Sequence, residues 1–351
     1  MNAKSSYDIY FGGPDLPPAR LRDRLAECVA AVPAGGTIDW VTYYFRDRRL
    51  ARELLRAHRK GVRVTVTLEG RPRTERANDA VVAMLSGPDG LGDGLRIISL
   101  PGIPTFSGKR WKPHLHAKLY CFSHPTPVAY IGSFNPSGDH PEEQPDVIRE
   151  IGDQDRGHNV LVGIHDPALV QHLKAYARWM FQARHPLFQR FSIFANRPYR
   201  GEDTEIYFWP RVLGHPVMKF LNQMAPGAHI SVAVSHLKGN AIARALLGLA
   251  RRGAGLEIIA GATERRVPAT VEQKFRKAGV AFRRVGQTDG LPMHNKFVIV
   301  QKNGQHWSIF GSFNWNTRSY WLNHEIGAIS TNRQLWEAFA GRWEAMLNQT
   351  D

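Results

Sequence analysis

Cysteine is scarce. Cys28 and Cys121 are the only two in 351 residues, which excludes a disulfide framework and a structural zinc site. No apolar run reaches the ~18 residues that a membrane span needs. Residues 1–15 mix Lys, Asp, Gly and Pro where a signal peptide would carry an apolar stretch. Negative charge is also short, with 31 Asp plus Glu against 46 Lys plus Arg, a formal net charge of +15. With 43% hydrophobic and 22% charged residues, the composition is that of a folded chain and excludes a largely disordered or collagenous one. These features lead to the expectation of a soluble cytoplasmic protein with reduced thiols. A peripheral position at the inner membrane suits it if its substrate lies there.

The positive excess implies an anionic partner: nucleic acid, an acidic membrane surface or a phosphorylated substrate. The alternative is that it only keeps the chain in solution. Lys and Arg are scattered, and the nearest approach to a cluster is Lys109-Arg110-Trp111-Lys112.

What the chain does have is itself, twice. Asp8-Ile9-Tyr10-Phe11 returns as Glu205-Ile206-Tyr207-Phe208, and ARELLRAHRKG from Ala51 returns as ARALLGLARRG from Ala243. His116-Ala117-Lys118 returns as His294-Asn295-Lys296, and Gly132-Ser133-Phe134-Asn135 as Gly311-Ser312-Phe313-Asn314. Four matched segments in one order define two homologous halves, expected at 1–185 and 205–351 with a joint at 186–204.

Each half reads as α/β. In the first, strands are expected at Ile38–Tyr44, Val62–Leu68, Leu95–Leu100, Leu115–Phe122, Val128–Ile131 and Asn159–Ile164, with helices over Asp47–Lys60 and from Pro167 to about Arg184. The second half repeats the order: strands from Ile230, near Leu256, from Val280, Asn295 and Trp307, and near Ile326; helices from Ala241, Pro268 and about Arg333. Strands alternating with helices favour a mainly parallel mixed sheet covered on both faces. The two halves would pack as a single-chain pseudo-twofold dimer, and further oligomerisation is left open. The acidic stretch Pro136–Asp155 has no counterpart of equal length in the second half; it either covers the site or is a solvated loop.

On a strand, residues i and i+2 share a face, so His116 projects with Lys118 and His294 with Lys296. Asn135 follows Lys118 by 17 residues and Asn314 follows Lys296 by 18, each after a Gly-Ser that ends an apolar strand. Brought together by the pseudo-twofold, these give two imidazoles, two ammonium groups and two amides around one cavity. That set suits a phosphate, with Lys and Asn on its oxygens, one His attacking phosphorus and the other protonating the leaving oxygen. His114 shares a face with His116 and reads as a wall residue. The ammonium groups would repel a cation, so neither a metal nor a cofactor is expected.

The paired HxK and GSxN motifs resemble those of the phospholipase D superfamily over nearly the whole chain. The pattern YYFRDRRLARELLRAHRKGVRVTV is similar to that of its bacterial cardiolipin-synthase-like members. The resemblance implies a two-step, metal-independent exchange at a phosphodiester through a covalent phosphohistidine. By analogy His116 is the nucleophile and His294 the acid and base, with Lys118, Lys296, Asn135 and Asn314 around the phosphate and Ser133 and Ser312 in support. The family motif also places Asp five residues after each Lys, where this chain has Ser123 and Gln301. A carboxylate downstream of GSxN orients a His in the family, fixing its tautomer. Glu325 supplies it in the second half, while alignment of His158 with His324 puts Asn159 in its place in the first. Glu150 is a candidate substitute. Which His each group serves is not readable from the sequence.

Three functions follow. A phosphatidyltransferase or phospholipase D acting on a phospholipid or an anionic membrane surface is the leading expectation. It is supported by Arg318-Ser319-Tyr320-Trp321-Leu322-Asn323-His324-Glu325, similar in spacing to cardiolipin-synthase-like enzymes. Trp307, Phe313, Trp315, Tyr320 and Trp321 are either an amphipathic lip for acyl chains or core residues. The alternative is a nuclease or other nucleic-acid phosphodiesterase, with Arg71, Arg73, Arg76, Lys109, Arg110 and Lys112 either tracking a groove or forming a charged flap. The third is a degenerate scaffold that binds a phosphodiester without turning it over.

Overall fold

The computed structural model describes residues 6–104, 110–137, 148, 151–185, 189–211, 214–239, 241–285 and 291–350. Its first half holds strands β1 (Tyr7–Gly12), β2 (Thr37–Thr42), β3 (Arg63–Glu69), β4 (Leu95–Ile98), β5 (Leu119–Phe122), β6 (Val128–Gly132) and β7 (Asn159–Ile164), in the spatial order β1-β7-β6-β5-β2-β3-β4. The second holds β8 (Thr204–Trp209), β9 (His229–Val234), β10 (Gly255–Gly261), β11 (Ala281–Val285), β12 (Lys296–Lys302), β13 (Gln305–Gly311) and β14 (Glu325–Ser330). Their order is β8-β14-β13-β12-β9-β10-β11, with Tyr199–Arg200 as an extra edge beyond β8. The duplication read from the sequence is thus a duplication of topology.

The α/β class holds, and the sheets are mixed. Parallel pairing is confined to β2-β3-β4 and β9-β10-β11. The other neighbours run antiparallel. The division follows the connections. A parallel pair needs a long crossover, which α2 (Arg48–Arg59) supplies between β2 and β3, whereas the short links β5–β6 and β12–β13 close hairpins.

The repeated helix shows how the sequence sets these elements. Asp47 caps α2 by accepting from Leu50 N at 2.8 Å. Leu50, Leu54 and Leu55 then recur on one buried face. Its last turn runs into Gly61 at φ 88°, a left-handed conformation that only glycine adopts without strain. Helix α6 (Ala241–Arg251) ends the same way before Gly253 at φ 85°.

Side-chain alternation along the strands divides the apolar residues into three cores. In β5, Tyr120 and Phe122 face outward toward a core shared with α1 (Arg20–Ala30), α2 and α3 (Asp79–Ser86). Leu119 and Cys121 face the centre. That central core lies between the two sheets and is filled by α4 (Pro167–Gln182) and α9 (Arg333–Leu347). The third core packs α5 (Pro216–Met224), α6 and α7 (Ala269–Lys277) on the outer face of the second sheet. Burying one such Leu or Phe fully stabilises the fold by about 1.5–3 kcal/mol. Helices α1, α3 and α5 had not been expected from the sequence. Cys28 and Cys121 are free and buried. No helix among the described residues is long and apolar enough to cross a membrane.

Candidate active site

Two expectations about the motif strands are corrected. The strand placed at Leu115–Phe122 begins at Leu119, and the one placed from Asn295 begins at Lys296. The residues just before them leave their own sheets to pair across the molecule. His116 N donates to His324 O and His324 N to His114 O, each at 2.9 Å; His294 N donates to His158 O and His158 N to Pro292 O, also at 2.9 Å. Each motif histidine is therefore stitched to the opposite half.

The side chains repeat this exchange. His116 Nδ1 lies 2.9 Å from Glu325 Oε2, a carboxylate that also accepts from Ser312 and, at 3.2 Å, from Asn323 Nδ2. His294 Nδ1 lies 2.9 Å from Asn159 Oδ1, which also accepts from Ser133 Oγ at 3.1 Å. Asn159 Nδ2 donates to the Gln154 carbonyl at 3.0 Å. A carbonyl only accepts, so this bond fixes which way the amide faces. Both partners of the imidazoles are acceptors. Both rings therefore carry hydrogen on Nδ1 and leave Nε2 with a lone pair. The two halves differ in one respect: the partner of His116 is charged and that of His294 is neutral.

The glycines of the GSxN motifs make this possible by close approach. A Cβ on Gly132 would stand 2.1 Å from Val160 O, and one on Gly311 would stand 2.3 Å from Ile326 O. Without it, Ser133 and Ser312 sit against the neighbouring strand. Their hydroxyls accept from Val160 N and Ile326 N at 3.0 Å while reaching Asn159 and Glu325.

Lys118 and Lys296 are buried, and each ammonium donates to the carbonyl of its own motif histidine at 2.7 Å. Burial pushes Lys118 down to about 7, with Glu325 opposing. Lys296 is driven well below the usual lysine range by burial and by Lys118. Burial also lowers His116 to about 4 against the pull of Glu325. His294 falls well below the usual histidine value through burial and the charges of Lys296, Lys118 and Arg266. For Glu325, burial acts upward, but His116 and Lys118 outweigh it and hold the carboxyl below its usual range. An anion entering here would relieve every one of these cationic penalties.

The histidines open into a cavity of about 530 Å³ between the halves, lined also by Asn135, Asn314, His114, Tyr43 and Tyr44. Asn135 Oδ1 accepts from Tyr44 N at 3.3 Å. His114, whose backbone N–H donates to Asn323 Oδ1 at 3.0 Å, lines the cavity. Arg73, Lys238, Arg265, Arg266 and Arg318 also line the cavity, and no carboxylate does among the described residues. Among the described residues no group of three or more His, Cys, Asp or Glu side chains is arranged to hold a metal ion.

Several of these residues escaped the sequence reading. Tyr43, Tyr44 and His236 follow β2 and β9, and Arg265 and Arg266 follow β10, so they line the cavity from the carboxyl ends of parallel strands, where α/β folds bind ligands. That rule was the available signal. Ser123 and Gln301 lie far from the chemistry. Ser123 follows the other end of β5, about 16 Å along the strand from Lys118, where its Oγ accepts from Thr37 N at 2.8 Å. Gln301 is exposed near the far end of β12. Ile151 and Gln154, from the acidic stretch, line the cavity. Residues 138–147, Glu150 and Lys109 lie outside the described residues.

Of the two readings of the aromatics, core is the one found for most of them. Phe313, Trp315 and Tyr320 are buried in the second-half core. Trp307 packs against that core on Phe220, with ring centroids 5.7 Å apart. Only Trp321 is open, at 40% exposure. His215, the residue before α5, stacks on Tyr320 and meets Phe313 edge-on, and Phe313 also packs on Trp209 and Trp315.

Comparison with known proteins follows the geometry. Among solved structures, phosphatidylserine synthase from Haemophilus influenzae has a TM-score of 0.67 at 13% identity, covering 99% of this chain and 87% of its own. Polyphosphate kinase from Porphyromonas gingivalis has a TM-score of 0.62 at 12% identity, covering 97% of this chain; this chain spans 50% of the kinase. At such identities the likeness is one of fold. No curated protein matches the sequence. The family model described as "Cardiolipin synthase, PLD-like domain" matches residues 32–180 and 221–347. The chain belongs to that phospholipase-D-like family, as its two exchanged histidine motifs had suggested.

Proposed function

We propose that the chain is a metal-independent phosphodiesterase or phosphatidyltransferase acting through a covalent phosphohistidine. In the first step the bound diester's negative charge holds His294 protonated at Nε2; His116 Nε2 attacks phosphorus, the bond to the leaving oxygen breaks, and that oxygen takes the His294 proton. In the second, His294 accepts a proton from water or an alcohol, the oxygen bonds to phosphorus, and the phosphorus–nitrogen bond breaks to free His116. Lys118, Lys296, Asn135 and Asn314 hold the non-bridging oxygens, and Ser133 and Ser312 brace the partners of the two imidazoles.

The observation that carries the reading is the unequal pair of partners, Glu325 on His116 and Asn159 on His294, behind a cavity whose described lining holds no carboxylate. Phosphorylation makes His116 an imidazolium, and the Glu325 carboxylate against Nδ1 stabilises that charge. His294 faces a neutral amide, which makes its protonated form a strong acid toward the leaving oxygen.

A phospholipid substrate keeps a specific support in Trp321, which is 40% exposed one turn after Arg318 on the short helix α8 (Thr317–Trp321) at the cavity wall.

The test uses bis(p-nitrophenyl) phosphate in EDTA, beside mixed phospholipid vesicles with ethanol. Wild type should release nitrophenolate and His116→Ala should not. With this good leaving group His294→Ala should accumulate a p-nitrophenylphosphoryl group on His116, detectable by mass. Activity lost in EDTA and restored by a divalent cation would sink the proposal. Phosphatidylethanol from the vesicles would establish the lipid.

A further inference from the structure

Beside the catalytic cavity lies a second one of about 660 Å³, and the two share Arg73, His114 and Arg318 as a common wall. Arg71, Arg76, Arg110 and Lys112 add to its lining, giving six cationic side chains with Arg73 and Arg318, against three carboxylates, Glu69, Glu75 and Asp79. Glu69 is buried and already occupied, accepting from Leu115 N at 2.7 Å and Arg71 N at 2.9 Å. Arg110, Lys112 and Arg318 are exposed and make no ion pair among the described residues. Between the cations the lining presents Val82 and Ile97, the latter 43% exposed. Arg110 and Lys112 ride on a small arm, Ile103–Pro104 paired antiparallel with Arg110–Trp111, outside both main sheets.

We infer that this trough is an extended substrate subsite for a single-stranded nucleic acid, binding the phosphates that flank the one in the catalytic cavity. The inference rests on the phosphodiester chemistry proposed above and adds its substrate class. A lone phosphodiester headgroup needs only the inner cavity, whose own cations already exceed its charge. Four more-distal cations, Arg71, Arg76, Arg110 and Lys112, with an apolar patch among them match a repeating polyanion, with phosphates on the cations and base faces on Ile97 and Val82. A diacyl lipid would instead need an apolar path outward. The described lining of the inner cavity offers only Ile151 and the Tyr43 and Tyr44 rings, and of the five aromatics read as a lip only Trp321 stands open, a single side chain rather than a path.

The arm supplies the test, because Arg110 and Lys112 line the trough and not the catalytic cavity. The double variant Arg110→Glu/Lys112→Glu is compared with wild type on two substrates, bis(p-nitrophenyl) phosphate and a fluorescent 12-nucleotide single-stranded DNA. The small diester reports the catalytic cavity alone. Its kcat/KM should stay within about twofold in the variant. For the oligonucleotide, KM should rise by at least tenfold, and the salt slope of log KM should weaken by about two charges. Three results would overturn the inference: equal loss on both substrates, an unchanged oligonucleotide KM, or turnover of the small diester by a wild type that neither binds nor cleaves the oligonucleotide. If the wild type fails on the small diester too, the chemistry proposed for the site fails first.

Discussion

Substituting Asn159→Asp restores a carboxylate where the first half has an amide, almost without changing shape. The new charge would stand about 2.9 Å from His294 Nδ1, at the position of Asn159 Oδ1. Burial and the charges of Lys296, Lys118, Arg266 and His116 hold His294 well below its usual value. An opposite charge at this range is worth about 6 kcal/mol at an effective dielectric of ~20. Part of that is lost to desolvating the carboxylate. A net rise of about one to three pH units follows, the range seen for ions in direct contact. The sign is fixed by the role proposed for His294, since protonated His294 delivers the leaving-group proton. Activity falls as pH rises through its pKa, and raising that pKa moves the falling limb to higher pH. The variant also loses the 3.0 Å bond from Asn159 Nδ2 to Gln154 O and turns an oxygen toward that carbonyl, a stability cost of about 1–3 kcal/mol. The assay is kcat/KM across the pH range for a dialkyl phosphate ester, whose leaving alkoxide needs the His294 proton, with the released alcohol read by mass and a melting curve at each end to separate unfolding from titration. An alkaline limb that stays in place, or moves down, in a folded variant would refute the assignment of His294 as the acid.

Three further outcomes are expected. Glu325→Gln keeps an acceptor for His116 but removes the charge, and the difference between a charge-assisted and a neutral hydrogen bond is about 1–2 kcal/mol. The phosphorylation rate in a single-turnover assay should therefore fall about 5- to 30-fold. The deficit should grow with pH, because Glu325 supports the protonated form of Lys118, which burial already lowers to about 7; a deficit independent of pH would count against that coupling. Gly132→Ala forces a Cβ to 2.1 Å from Val160 O inside a strand ladder and should cost about 2–3 kcal/mol in chemical denaturation. Gly341→Ala, by contrast, meets nothing within 4 Å on helix α9 and should stabilise by about 0.5–1 kcal/mol by helix propensity.

The sequence by itself determined the duplication, the α/β class and the paired HxK and GSxN motifs that point to the family. These are local or repetitive properties. Strand alternation, the helix ending at Gly61 and Gly253, and the spacing of His, Lys and Asn are all written within a few residues of each other. Helices α1 and α3 lacked that clarity: only Leu21, Leu25, Cys28 and Val29 mark the buried face of α1, and Val81 and Leu85 that of α3. The start of β5 was misjudged because Leu115 continues the apolar run of the strand, while its backbone pairs with His324 of the other half.

What the tertiary structure alone decided is who faces whom across the pseudo-twofold. Glu325 serves His116 from 209 residues away and Asn159 serves His294 from 135. No periodicity records such contacts, because they arise from two sheets packing on a shared core. The same packing settled the aromatics. Phe313, Trp315 and Tyr320 read equally as a lip or as core until they are seen packed with Trp209 and His215 in the second-half core. It also joined Arg73, Arg110 and Arg318, remote in sequence, into the wall of one trough. Residue types and short spacings carry the chemistry, whereas partner choice and the shape of the path to the site are long-range properties that only the folded chain defines.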